Sequence, residues 1–107
     1  MTGGITEQSY RHIVATLTSF PAVERARIFG SRAKGTSKGG SDIEIVIFGE
    51  DCTEKTALAL SSVLNEQTPI PYFVDVANYD SIKNGELKAH IDRVSIPLFE
   101  RQLPTIV

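Results

Sequence analysis

The sequence predicts an α/β domain in which a small mixed β-sheet is flanked by helices. Three observations lead to it. Apolar residues recur at helical spacing in separate stretches, and short β-branched runs alternate with those stretches. A glycine-dense segment, GSRAKGTSKGG, lies between two of the apolar runs. With 107 residues, 41% hydrophobic and 22% charged, the chain suits a single domain over residues 1–107 and is neither disordered nor fibrous in composition.

Thr6 caps a first helix running to about Ser19, because Ile13, Val14 and Leu17 recur at helical spacing and Phe20-Pro21 stops the run. Ala26 and Ile28 then alternate with Arg25 and Arg27, the pattern of a half-buried strand leading into Phe29-Gly30. Residues 31–41 form the loop, opened by a short helix at Arg32-Ala33-Lys34. Asp42 to Phe48 (DIEIVIF) reads as a second strand that ends at Gly49 and pairs with the first.

Thr53 caps a further helix to about Gln67, with Leu58, Leu60, Val63 and Leu64 as its expected buried side; Pro69 and Pro71 prevent its continuation. Tyr72 to Ala77 is the third predicted strand. Asp80 or Ser81 starts a last helical region through Ile82, Leu87, Ile91 and Val94, which Pro97 kinks or interrupts before Leu98 and Phe99. The expected order is helix, strand, glycine loop, strand, helix, strand, helix.

A net charge of -2 and a pI near 5.6 argue against a chain that grips nucleic acid through many phosphate contacts. The lone Cys52 rules out an intramolecular disulfide and any multi-cysteine metal site, and is read as a small semi-buried residue. No apolar run approaches the roughly 20 residues of a membrane-spanning helix. The segment MTGGITEQSY lacks the basic and apolar regions of a signal peptide. The expected location is therefore the cytoplasm, with no membrane partner.

The chemistry concentrates in the loop and in three carboxylates. Gly30-Ser31 follows a strand and precedes a short helix, so backbone N–H groups there suit phosphate oxygens. Glycine permits close approach, the Ser31 hydroxyl adds a donor, and Arg32 and Lys34 bring positive charge. Lys38 lies within the same loop and suits either phosphate contact or plain solvation.

Asp42 and Glu44 are two apart in a strand, so both side chains point to one face while Ile43 and Ile45 point to the other. Two neighbouring carboxylates repel unless a cation compensates. Asp75, between Val74 and Val76, joins that face if the third strand lies beside the second. Hard oxygen ligands of this kind suit Mg2+ shared with substrate phosphates, the chemistry of phosphoryl or nucleotidyl transfer.

Gly30-Ser31, ten intervening residues and then Asp42-Ile43-Glu44 resemble the signature of the DNA polymerase β-like nucleotidyltransferases, and Val74-Asp75-Val76 resembles their third carboxylate. More narrowly, IFGSRAKGTSKGGSDIEIVIFG and PYFVDVANYDSIKNGELKAHIDRV are similar to the minimal nucleotidyltransferase (MNT) family, over about Val23 to Glu100.

The resemblance implies the polymerase β-like nucleotidyltransferase fold. It implies that Gly30 and Ser31 hold the triphosphate of ATP, that Asp42 and Glu44 bind two Mg2+ ions, and that Asp75 completes the metal site and helps deprotonate an acceptor hydroxyl. It further implies a helical HEPN-type toxin as partner, neutralised by AMP transfer, in a hetero- or homo-oligomer. The family's usual second ligand is Asp, and Glu44 departs from it by one methylene, which weakens pre-organisation and predicts reduced activity. Two alternatives stay open: a non-catalytic antitoxin or scaffold with a vestigial site, and nucleotidyl transfer to a small molecule.

Other polar residues receive plainer readings. His12 and His90 have no second ligand at helical spacing and are read as surface or packing residues. Glu50 and Asp51 are a solvated turn before a helix. Tyr79 and Asp80 cap the last helix or frame the nucleotide, with the cap favoured. Leu98, Phe99, Leu103, Ile106 and Val107 form an apolar chain end that suits a partner surface or contact with the first helix.

Overall fold

A computed structural model describes residues 4–36 and 40–101. Lys38 and residues 102–107, including the apolar positions Leu103, Ile106 and Val107, lie outside the described residues. The elements are α1 (Glu7–Thr18), β1 (Arg25–Phe29), α2 (Ser31–Lys34), β2 (Ile43–Phe48), α3 (Glu54–Glu66), β3 (Val74–Asn78), a 3-10 turn (Tyr79–Ser81), α4 (Gly85–Val94) and β4 (Ile96–Glu100). None of these helices is long and apolar enough to cross a membrane.

Local chemistry sets the helix ends. Thr6 accepts from the Ser9 N–H at 3.2 Å, and Thr53 and Thr56 form a reciprocal capping box. Asn84 Oδ1 accepts from the N–H groups of Glu86 and Leu87 and so caps α4. The predicted cap at Tyr79 or Asp80 is thus corrected: those residues make the 3-10 turn, and α4 starts later. At the other end of α1, Arg101 donates to the carbonyls of Leu17 and Thr18, which the helix terminus leaves open, and to those of Phe20 and Val23 beyond it.

The strands form one mixed sheet in the order β3-β2-β1-β4. β1 runs antiparallel to both β2 and β4, while β2 and β3 are parallel. β4 is an addition to the expected order, in which Pro97 interrupts a helix. Pro97 instead stands on an edge strand, where a missing N–H costs no ladder bond, and beside a register shift between Ala26 and Arg27. Tyr10 Oη donates to the Leu98 carbonyl, so the start of the apolar chain end does lie against α1.

Alternation along the strands divides the buried residues between two faces. Beneath α1 and α3, Ile13, Leu17, Ile28, Ile43, Ile45, Ile47, Leu60 and Leu64 form the main core, each 0% exposed. On the opposite face α4 covers a smaller cluster of Phe29, Val46 and Ile91. The stripe of α3 that is buried is Ala57, Leu60 and Leu64; Leu58, expected inside, is 64% exposed because it sits one residue, about a quarter-turn, off that stripe.

Candidate active site

Where α4 leaves the second face uncovered, the sheet presents its polar residues. β1 ends at Phe29, which pairs with Glu44 of β2, and Glu44 pairs in turn with Asp75 of β3. Parallel pairing therefore sets two carboxylate-bearing residues side by side at the mouth of the loop. Asp42 precedes Glu44 by two positions on the approach to β2. Asp75 and Asp42, at the strand's lead-in, are exposed, whereas Glu44 is half-buried.

Electrostatics reflects this placement. The Glu44 carboxyl is pushed above its ordinary value, first by burial, then by the charge of Asp75 and to a smaller extent Asp42; only a protonated His90 would oppose this. Among the described residues, no three His, Cys, Asp or Glu side chains are drawn together around a common point that would hold a metal ion. The backbone register brings the acids alongside one another; their side chains are not gathered.

One reason is where Glu44 lies. Gly30 has φ 75° and ψ −153°, a region open essentially to glycine alone. A Cβ at Gly30 would collide with the Glu44 carboxylate, which rests against the bare Cα. The space beside Gly30 that the sequence reading gives to phosphate is taken here by the Glu44 carboxylate.

The basic residues of the loop divide. Lys34 is exposed and Ser31 half-buried beside it. Arg32, expected near phosphate, is only 5% exposed. Its guanidinium donates to the carbonyls of Ser41 and Asp42 and lies over the Tyr72 ring at 4.7 Å. Arg32 therefore ties α2 to the lead-in of β2 and holds Asp42 in place across the loop, so the positive charge expected near phosphate is held on backbone carbonyls.

His90, which the sequence marks only as a surface or packing residue, stands at this site: its Nε2 accepts the Gly30 N–H at 3.2 Å. No sequence signal joins residues 60 positions apart, and α4 alone brings the imidazole there. Cys52, read from the sequence as semi-buried, is buried, and burial is the main cause that pushes its thiol up. A cavity of about 460 Å3 lies at the opposite end of the same face, lined by Arg25, Arg27, Phe48, Tyr79, Asp92 and Ser95 and by none of the three acids. The acidic site is an open shelf.

The family model for polymerase beta nucleotidyltransferases matches residues 11–103. The chain belongs to that family. Solved structures with the same fold include a toxin–antitoxin complex with AMP-PNP, at TM-score 0.70 and 22% identity, covering 87% of this chain and 74% of the other. The MntA–HepT toxin–antitoxin complex aligns at TM-score 0.67 and 17% identity, over 90% and 74%. No curated protein sequence matches the chain. The mixed sheet and flanking helices expected from the sequence are those of this nucleotidyltransferase fold.

Proposed function

We propose that this nucleotidyltransferase domain moves AMP from ATP to a hydroxyl of a helical, HEPN-type partner protein and thereby acts as an antitoxin. The observation that carries the reading is the parallel pairing of Glu44 with Asp75, with Asp42 two residues before it, beside the turn at Gly30. Similarity to toxin–antitoxin complexes, one of them with AMP-PNP, supports the choice of nucleotide and of partner class.

The donor set suits divalent metal. Three hard carboxylates on neighbouring positions, one of them with a raised pKa, leave negative charge that a cation would relieve. Asp42, Glu44 and Asp75 are the residues that would hold Mg2+, two ions by resemblance. Bound Mg2+ supplies positive charge for the attacking oxygen and for the departing pyrophosphate.

The chain's own residues do the rest. Gly30 and Ser31 receive the triphosphate, and exposed Lys34 adds a charge beside it. Asp75 takes the proton of the partner's hydroxyl as that oxygen bonds to the α-phosphorus. The bond from that phosphorus to pyrophosphate breaks, and AMP stays on the partner. Arg32 keeps Asp42 in register throughout.

A second reading, a non-catalytic antitoxin, is favoured by the Glu44 carboxylate resting against Gly30. Labelled ATP with the purified pair separates the two. Transfer of label to the partner, stronger in Glu44→Asp, supports the enzyme; label only in Glu44→Asp means an impaired enzyme, and none in either contradicts the acceptor assignment.

A further inference from the structure

Gly30 is held from two sides. The Glu44 carboxylate lies against its Cα, and its N–H donates to His90 Nε2 at 3.2 Å. The imidazole is itself oriented: it meets the Phe29 ring edge-on at 77°, with centroids 6.4 Å apart. Phe29 is a buried member of the small cluster under α4, beside Ile91, the residue after His90. The ring that accepts the Gly30 amide is therefore fixed by the same contacts that seat α4 on the sheet.

Glycine has no side chain to restrain its backbone, so the direction in which the chain leaves β1 depends on what grips the peptide itself. Two backbone bonds, Lys34 N–H to Gly30 carbonyl and Thr36 N–H to Ser31 carbonyl, secure the α2 side of the turn. The bond to His90 secures the β1 side. An acceptor nitrogen means a neutral imidazole with its proton on Nδ1; lysine or arginine at this place offers only donors and could not make the bond.

Resting on the proposed function, we infer that His90 is a positioning residue for the Gly30-Ser31 turn. By accepting the Gly30 N–H it fixes the Phe29-Gly30 peptide plane, and with it the direction of Ser31 relative to Glu44 and Asp75. It does not touch the substrate. A misplacement of about 1 Å in such a site costs on the order of 100-fold in rate, so one bond that sets a glycine peptide plane has leverage.

Two measurements test this on the full chain. In 15N-labelled protein, a scalar coupling across the N–H···N bond joins Gly30 to His90 Nε2. By calorimetry, His90→Leu, which keeps bulk and loses the acceptor, binds ATP with Mg2+ about tenfold more weakly. His90→Gln, which places an oxygen where Nε2 stood, stays within about twofold of the parent. No coupling, or Leu and Gln variants that lose affinity alike or not at all, overturns the inference. A coupling in a chain that binds no ATP defeats the proposed function and reduces His90 to a fold residue. ATP binding without the coupling defeats only the role of His90.

Discussion

The two faces of the sheet differ in how completely they are covered, and that difference separates stability from chemistry. The face under α1 and α3 is closed by aliphatic side chains with no exposure, from Ile13 to Leu64. The face under α4 has three buried members, Phe29, Val46 and Ile91, and then opens at Glu44 and Asp75. The same strand serves both: Ile43, Ile45 and Ile47 anchor β2 in the core while Glu44 points the other way. A carboxylate shelf can be held rigidly because its strand is fixed from behind.

Paired truncations test that contrast most strongly. Ile45→Ala should cost about 4 kcal/mol in urea denaturation, and Ile91→Ala about 2 kcal/mol, because the smaller cluster collapses more readily around the gap. Equal losses would break the division between the faces. Gly30→Ala comes next, at about 2 kcal/mol, since the backbone there is closed to alanine and the added methyl meets Glu44. Removing Glu44 as well, in Gly30→Ala/Glu44→Ala, should relieve the collision and leave the backbone strain, so recovery is partial.

The smallest effect has the opposite sign. Folding raises the Glu44 pKa, so the native chain holds that proton more tightly than the unfolded chain does, and ionised Glu44 opposes folding. The cost is absent below the ordinary value of 4.5, grows as pH rises through the raised value, and is complete above it. In metal-free buffer Glu44→Gln should therefore raise Tm slightly at pH 7, with the gain vanishing below about pH 4. A gain that persists unchanged in acid would point to side-chain contacts rather than charge.

Part of this shelf is legible in the sequence: strand alternation turns Glu44 away from Ile43 and Ile45, while Asp42 lies in the lead-in before β2, where that alternation no longer fixes its direction. The nearness of Asp75 requires the parallel pairing of β2 and β3, which the pattern permits without dictating. The bonds of Arg32 to the Ser41 and Asp42 carbonyls are not legible, since a basic residue after a glycine loop has the same appearance whether it faces phosphate or folds back on carbonyls. β4 is hidden because proline signals interruption, and only the edge position makes Pro97 compatible with a strand. His90 is beyond reach, as its partner is a backbone amide brought close by tertiary structure alone.

The most direct test of the central claim is calorimetric titration of ATP into the parent chain and Asp75→Asn, with and without Mg2+. A site made by Asp42, Glu44 and Asp75 beside Gly30 binds ATP more tightly with Mg2+, and Asp75→Asn loses most of that gain while binding the metal-free nucleotide as before. ATP affinity that ignores Mg2+, or an Mg2+ gain that survives Asp75→Asn, would contradict it.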